Sequence, residues 1–279
     1  MICGPTTSGK SDLADTFSEI ISDTLGEWVT TILVDSVQVY REIPLISNQA
    51  RARPAELAGV ASVAEKWTVA CHKEMAQRII SSLPREVPFV LDSGTGMYLN
   101  AILLSFSLSP KAPTEVRAEA WKLAADAENP RREARKFELA LMGAPERGSI
   151  WDAPLHYDTT LLYLRPERWE LDRNISARSA RIVRQGAEEA ERLLESGILP
   201  NPSAREAIGV KEMLLHASGD LSAKGAEETI ASRTRRLARR QIRWFDKLAS
   251  SLPETTALLV VEDPQDQRLM HFMHDKMWP

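Results

Sequence analysis

The sequence predicts an α/β protein: a P-loop-type parallel sheet flanked by helices, with a small helical insertion. The stretch GPTTSGKS at residues 4–11 fits the phosphate-binding pattern G-x-x-x-x-G-K-[S/T]. Two apolar runs, TTILVDS at 30–36 and VPFVLDSGTG at 87–96, each reach an aspartate near their end. A segment with apolar residues at helical spacing separates them. This alternation is typical of a parallel sheet whose functional loops lie at the carboxyl ends of the strands.

The remaining elements follow in chain order from the spacing of apolar residues. The P-loop opens a helix over 11–26, and a second helix is predicted over 63–83. Residues 115–143 are helical with a break at Asn129–Pro130, because proline interrupts a helix. TTLLYLR at 159–165 returns to a strand pattern, and a long helix over about 167–196 follows it.

We expect three regions from these patterns. Residues 1–109 and 155–250 form a P-loop α/β core, and residues 110–154 form a small helical insertion. Residues 251–279 are weakly patterned and are expected to be a C-terminal tail.

Composition narrows the class of protein. Hydrophobic residues make up 43% of the chain and charged residues 27%, which is ordinary for a globular protein. No apolar run approaches the roughly 18 residues that a membrane span needs. Two cysteines are too few for a disulfide framework, so a reducing compartment is expected, the cytoplasm first and an organelle second. We expect a monomer that has no contact with a membrane.

A basic segment departs from the net charge of −4. The stretch ASRTRRLARRQIRWFDK at 231–247 contains seven basic residues and one acidic residue. A localised concentration of positive charge predicts a site for a polyanion. The alternative is a solvated helix whose arginines serve only the surface.

The P-loop predicts a phosphate site. Its backbone N–H groups and the helix N-terminus surround phosphate oxygens, Lys10 supplies a positive charge, and Ser11 can ligate Mg²⁺. The motif does not identify the molecule that carries the phosphate. A nucleotide kinase or another NTPase would use Asp35 or Asp92 to organise magnesium.

Five motifs in a fixed order make the assignment more specific. They are GPTTSGKS, DSVQVYR at 35–41, SGTGMYL at 93–99, REAIGVKE at 205–212 and TRRLARRQIRWF at 234–245. Together they resemble the tRNA dimethylallyltransferases, also called tRNA isopentenyltransferases, from residue 2 to about residue 245. The stretches YREIPLISNQ and EKWTV are closer to the eukaryotic-type branch of that family, although the chain is shortened and divergent.

The resemblance implies a prenyltransferase that moves a dimethylallyl group from dimethylallyl diphosphate to N6 of an adenine, commonly A37 beside the tRNA anticodon. Mg²⁺ is the implied cofactor, with Ser11 as its ligand. Asp35 matches the general base, and Lys10 and Arg178 match groups that stabilise the leaving diphosphate. The implied diphosphate-binding residues are Gly4, Thr6, Thr7, Ser8, Gly9, Lys10, Ser11 and Arg178.

The resemblance also implies contacts with the acceptor. Arg132 and Arg135 match an arginine element that touches tRNA in the family, and Thr95 matches a threonine that lines the nucleotide channel. The full implied set is Asp35, Ser36, Gln38, Thr95, Arg132, Arg135, Arg205, Lys211, Arg236, Arg239 and Arg243.

Three departures keep other functions open. A histidine-containing segment of the family is missing, Asp92 stands where an apolar residue is customary, and the two cysteines cannot form the zinc finger found in many eukaryotic members. In addition, Asn174 stands where the family has an arginine. Adenylate isopentenyltransferases share this chemistry and act on AMP, ADP or ATP to make cytokinins. A P-loop kinase or NTPase is the second alternative, and an RNA-binding relative without activity is the third.

Overall fold

The computed structural model describes residues 1–144 and 149–277, apart from the side chains of Arg131 and Met277. The strands are β1 Ile2–Cys3, β2 Thr31–Val34, β3 Val90–Ser93, β4 Thr160–Leu164 and β5 Ala257–Val261. The helices are α1 Lys10–Leu25, α2 Pro44–Ser47, α3 Val69–Ser82, α4 Gly96–Leu103, α5 Thr114–Leu123, α6 Pro130–Leu141, α7 Arg168–Gln185, α8 Ala187–Ser196, α9 Pro202–Arg205, α10 Val210–Ala217, α11 Ala223–Ser251 and α12 Arg268–Met277.

The five strands form one parallel sheet in the order β2-β3-β1-β4-β5. Strand β1 is central although it has only two residues, and its Cys3 aligns with Ser93 of β3 and Tyr163 of β4. Because neighbouring strands run in the same direction, the loops after β1, β2 and β3 emerge at one edge. This sheet confirms the predicted fold class.

Helices cover both faces of the sheet. Leu162 and Leu164 of β4 pack in a core with Leu13 and Phe17 of α1. Tyr163 between them points to the opposite face, where its ring lies 5.9 Å from that of Phe245 in α11. Successive side chains of a strand alternate between faces, so the apolar run of β4 is buried on both sides.

Two predicted helices differ from the observed ones. The helix predicted over 63–83 begins at Val69, because the Thr68 side chain caps it by accepting a hydrogen bond from the Cys71 N–H. The single helix predicted over 167–196 is divided into α7 and α8 at Gly186. A Cβ at Gly186 would lie only 2.7 Å from the Ile46 side chain, so this close approach requires glycine.

The predicted C-terminal tail, residues 251–279, contains elements that the sequence analysis missed. Strand β5 pairs with β4 along its whole length, from Thr160 with Ala257 to Leu164 with Val261. Helix α12 adds Leu269 and Met273 to the core beside α1. As far as residue 277, this segment is therefore part of the sheet and its core. Residues 278 and 279 lie outside the described residues.

The chain divides into two compact units, Met1–Leu103 with Leu155–Pro279, and Leu104–Pro154. The second unit contains α5 and α6 and overlaps the predicted insertion at 110–154. Within it, buried Glu138 forms ion pairs with Arg117 at 3.3 Å and Arg135 at 2.6 Å. The loop predicted over 144–154 falls partly on residues 145–148, which lie outside the described part of the chain. No described helix is both long and apolar enough to cross a bilayer.

Candidate active site

The P-loop connects β1 to α1 and contains backbone conformations that few residue types adopt. Thr7 and Gly9 have φ angles of 65° and 84°. A Cβ on Gly4 would lie 2.7 Å from the Leu164 carbonyl oxygen and 2.8 Å from Ser8 Oγ, so only glycine fits there. The loop is therefore wrapped tightly against β4, and α1 begins at Lys10, within the last residues of the motif.

Lys10 and Asp35 meet at Gly94, in the loop after β3. A Cβ on Gly94 would lie 3.2 Å from Lys10 Cε and 3.4 Å from Asp35 Oδ2. The predicted phosphate-binding lysine and the predicted base thus lie against the same backbone position, although they are 25 residues apart in the sequence. Any side chain at residue 94 would occupy the space between them.

The two carboxylate oxygens of Asp35 have different surroundings. Oδ1 accepts hydrogen bonds from the backbone N–H groups of Val37 at 2.7 Å and Gln38 at 3.1 Å. Oδ2 accepts one long hydrogen bond, 3.4 Å, from the Thr95 hydroxyl. The first oxygen fixes the orientation of the side chain, and the second retains capacity to accept a proton.

Arg178 of α7 contacts the other side of the P-loop. Its guanidinium donates to Thr6 Oγ1 at 2.8 Å and to the Ser47 carbonyl oxygen at 3.4 Å. Burial of the guanidinium lowers the pKa of Arg178 to about 10, and the nearby Asp35 charge acts in the opposite direction. Arg178 is still protonated at neutral pH. One turn earlier, Asn174 donates to the Thr7 carbonyl oxygen at 3.4 Å.

The structure also places the other residues that were predicted near the acceptor. Half-buried Ser36 follows Asp35 in the turn. Gln38 donates from Nε2 to the carbonyl oxygens of Ser47 at 3.1 Å and Asn48 at 2.8 Å. The Gln38 side chain therefore holds the C-terminal end of α2.

Sequence reasoning missed Gln241, which connects both halves of the site. Its Oε1 accepts a hydrogen bond from the Thr6 N–H at 2.9 Å, and its Nε2 donates to the Gly94 carbonyl oxygen at 2.6 Å. Gln241 lies on the buried face of α11, three residues after Ala238 and four before Phe245. An amide within an apolar stripe was the available signal.

A buried ion network lies beneath the P-loop helix and was also missed. Arg51 contacts Asp92 Oδ2 at 2.6 Å and also pairs with Asp15 of α1. Burial favours the neutral form of Arg51, but the two carboxylates outweigh burial and raise its pKa. Asp92, which stood out in the sequence, therefore has an arginine partner.

Helix α11 presents a cationic face to solvent. Arg235 is paired with Asp172 at 3.3 Å, and Arg233 is paired with Glu212. The other arginines span an arc of about 100° on the helix. These exposed residues, which have no carboxylate partner among the described residues, are Arg236, Arg239, Arg240 and Arg243. We call these four residues the cationic face.

The other predicted tRNA contacts have varied surroundings. Arg205 is exposed at the end of α9, and Lys211 pairs with Glu206 at 3.0 Å. In the second compact unit Arg132 is exposed, whereas Arg135 is held by Glu138 at 2.6 Å and by the Pro110 carbonyl oxygen at 2.7 Å.

The fold and the site define a class of protein: an α/β enzyme with an aspartate fixed beside a loop of the P-loop sequence pattern. A model of the IPP transferase family matches residues 38–140 and 124–248. The tRNA dimethylallyltransferase of Rubrobacter xylanophilus is 54% identical over 280 residues, which cover 98% of this chain and 96% of that protein. The chain belongs to the IPP transferase family.

More distant relatives support the same family assignment and fold. The tRNA dimethylallyltransferase of Phenylobacterium zucineum is 30% identical over 292 residues, covering 92% of each chain. The crystal structure of the tRNA isopentenylpyrophosphate transferase of Bacillus halodurans matches with a TM-score of 0.69 at 25% identity, over 98% of this chain and 92% of that one. A eukaryotic dimethylallyltransferase acting on tRNA has the same fold, with a TM-score of 0.69 at 20% identity, over 99% and 75%. The predicted likeness to the eukaryotic-type branch stays a prediction.

Proposed function

We propose that this protein transfers a dimethylallyl group from dimethylallyl diphosphate to N6 of the adenine beside the tRNA anticodon, A37. One observation carries the proposal: Asp35 Oδ2 and Lys10 lie against the same residue, Gly94. A proton acceptor next to a phosphate cradle suits a reaction in which an amine attacks as a diphosphate leaves. The close relative named as a tRNA dimethylallyltransferase supports the same activity.

The donor half of the site is the P-loop with Arg178. Negative charge grows on the diphosphate as the bond between the allylic carbon and oxygen breaks. Backbone N–H groups and fixed cations stabilise that charge best where water is excluded. Arg178 is held against Thr6 for this purpose. The proposed diphosphate-binding residues are Gly4, Thr6, Thr7, Ser8, Gly9, Lys10, Ser11 and Arg178.

Ser11 is the proposed ligand for Mg²⁺. The described residues contain no group of three histidine, cysteine or acidic side chains that could hold a metal. Mg²⁺ commonly takes one or two protein ligands and fills its remaining positions with phosphate oxygens and water. The single hydroxyl of Ser11, in the first turn of α1, fits that arrangement. When bound, the ion would neutralise charge on the diphosphate.

The acceptor half of the site is Asp35 with Thr95. The adenine amine forms a bond to the allylic carbon, diphosphate departs with the electron pair, and a proton leaves N6. Asp35 Oδ2 accepts that proton, because Oδ1 is already occupied by two backbone N–H groups. Ser36 and Gln38 shape the turn around this base.

The cationic face supports tRNA as the acceptor. A free nucleotide is too small to contact four exposed arginines spread along one helix. The phosphates of an anticodon stem-loop extend far enough to contact all four. The cationic face therefore supports a tRNA acceptor better than it supports the adenylate isopentenyltransferase alternative. A kinase would not need this face to bind its substrates. The proposed contacts outside the channel are Arg132, Arg135, Arg205, Lys211, Arg236, Arg239 and Arg243.

We further propose that the enzyme works as a monomer in the cytoplasm. Asp35, Lys10, Arg178 and Gln241 all come from one compact unit of a single chain. Light scattering coupled to size-exclusion chromatography tests the oligomeric state directly.

Product analysis tests the proposed function. The protein is incubated with dimethylallyl diphosphate, Mg²⁺ and either unmodified tRNA or AMP, and the nucleosides are analysed by mass spectrometry. We expect isopentenyladenosine in tRNA, with pyrophosphate inhibiting competitively against the donor. Efficient prenylation of AMP with no product in tRNA would establish the adenylate alternative, and ATP hydrolysis that ignores the prenyl donor would establish an NTPase.

A further inference from the structure

Gln241 is a buried amide whose two polar atoms serve different loops. Its side chain crosses from α11 to the P-loop at Thr6 and to the loop after β3 at Gly94. These residues are 235 and 147 positions away in the sequence. Among the described residues, no other side chain donates to one of these loops while accepting from the other.

Each end of this bridge leads to a group of the proposed reaction. Thr6 accepts the hydrogen bond from Arg178, which belongs to the donor half. Gly94 lies against Asp35 Oδ2, and the next residue, Thr95, donates to that same oxygen. A shift of either loop relative to the other would change the separation between the diphosphate cradle and the base.

We propose that Gln241 is a positioning residue that sets the distance between the diphosphate cradle and Asp35. This inference rests on the proposed function. Both polar atoms of the buried Gln241 side chain are bonded to the backbone of Thr6 and Gly94, and the residue acts through these two groups. Reactions between two bound groups depend steeply on their placement, and a misplacement of about 1 Å can cost roughly 10²-fold in rate.

This position requires a side chain that accepts one hydrogen bond and donates another. Thr6 presents an N–H donor and Gly94 presents a carbonyl acceptor, so one residue must both accept and donate. Methionine has a similar length and can do neither. A glutamate carboxylate would satisfy Thr6 but would place a second acceptor against the Gly94 oxygen. A protonated glutamic acid would restore both hydrogen bonds.

The first test compares Gln241→Met with a matched control, Thr234→Val. Thr234 lies two turns earlier on the same buried face of α11, and among the described residues its hydroxyl bonds only to Ile230 of its own helix. We expect Gln241→Met to lower kcat for tRNA prenylation by roughly 10- to 100-fold, with little change in KM for tRNA. Thr234→Val should keep both constants near the wild-type values.

The second test measures kcat of Gln241→Glu at several pH values. All of these measurements use one preparation of the variant, so a difference between them cannot arise from a difference in folding between variants. The ratio of its kcat to the wild-type kcat at the same pH should rise reversibly as the pH falls and the carboxyl group becomes protonated. Using the ratio removes the pH dependence that the two proteins have in common.

The outcomes separate the inference from the proposed function. A wild-type protein that does not prenylate tRNA refutes the proposed function itself. Active wild-type protein together with near-normal kcat in Gln241→Met, an equal loss in Thr234→Val, or a ratio for Gln241→Glu that stays well below one and does not rise as the pH falls would each overturn the positioning role.

Discussion

Asp35, the proposed base, has one carboxylate oxygen that is held by the backbone and one that is nearly free of hydrogen bonds. Its Oδ1 is bound by two N–H groups of the turn that follows β2, so the side chain cannot rotate without breaking them. Its Oδ2 is left beside Lys10 and Thr95 with a single long hydrogen bond. Because one oxygen holds the turn and the other is the proposed proton acceptor, a single substitution can remove the proposed base without unfolding the turn.

Asp35→Asn is therefore expected to isolate proton transfer. The asparagine Oδ1 can still accept from Val37 and Gln38, but its amide nitrogen cannot take a proton from N6. Loss of a positioned general base should reduce the transfer rate by about 10²-fold or more. Single-turnover prenylation of tRNA measures the rate, and calorimetry with pyrophosphate measures the donor site.

Pyrophosphate affinity should stay near the wild-type value in this variant. Asp23→Asn, an exposed change on α1, serves as the control and should leave both measurements unaltered. Near-normal turnover of Asp35→Asn would remove Asp35 from the role of base.

The residues of the candidate site could be predicted from the sequence where they belong to a short, continuous motif. GPTTSGKS and the aspartate after β2 could be read within a few positions, and the structure brings Lys10 and Asp35 together as a parallel sheet requires. The partner of Asp92 could not be read in the same way. Arg51 lies 41 residues from it, and only the folded chain brings the pair to 2.6 Å.

At the scale of elements, α11 joins two functions because its faces differ. The buried face carries Gln241 into the site and packs Trp244 against Gly96, where a Cβ would lie 2.1 Å from the indole ring. The opposite face carries the arginines that we assign to tRNA phosphates. A rigid helix of 29 residues can hold both groups in a fixed relation.

The cationic face makes a prediction about ionic strength. Replacing Arg236, Arg239 and Arg243 together by glutamine should raise KM for tRNA. The slope of log affinity against log salt should become less steep by roughly 2 to 3, since each phosphate contact contributes about 0.7 to 0.9. Filter binding of tRNA at several salt concentrations gives the slope.

The control for this variant carries the same change in charge elsewhere. Arg78, Arg85 and Lys224 are exposed residues outside the cationic face, and their replacement by glutamine should leave the slope unaltered. Equal slopes for both triple variants would show that the cationic face does not bind phosphates.

Elements were predictable from sequence when their own apolar spacing determined them. Helix α1 and strands β2, β3 and β4 lie close to where the patterns place them. Strand β5 was missed because ALLVV is only partly buried and gains its partner from β4, almost a hundred residues earlier. The break between α7 and α8 was missed because it depends on Ile46, which packs on Gly186.

At the scale of the whole molecule, stability should depend on one buried histidine. His72 of α3 is fully buried, and its Nδ1 accepts a hydrogen bond from the Trp67 indole N–H at 3.1 Å. Burial lowers the pKa of His72 to about 4, although the charge of Asp35 and the Leu33 backbone act in the opposite direction. The folded protein therefore holds His72 neutral where an unfolded chain would protonate it.

The sign of the pH dependence follows from this difference. An ordinary histidine in the unfolded chain binds a proton below a pH of about 6.5. As the pH falls from about 6.5 to about 4, His72 binds a proton in the unfolded state but not in the folded state. The free energy of unfolding therefore decreases. The contribution of His72 is complete above about pH 6.5, and its loss by pH 4 amounts to about 3 kcal/mol.

His72→Asn should remove this contribution while keeping an acceptor for Trp67. Urea unfolding at several values between pH 4 and pH 7.5 measures the free energy of unfolding for both proteins. At neutral pH the variant should be the less stable protein, because it packs poorly, and the difference should shrink as the pH falls. His271→Asn, an exposed change on α12, should track the wild type throughout. A gap between His72→Asn and wild type that stays constant with pH would mean that His72 takes up its proton equally in the folded and unfolded chain.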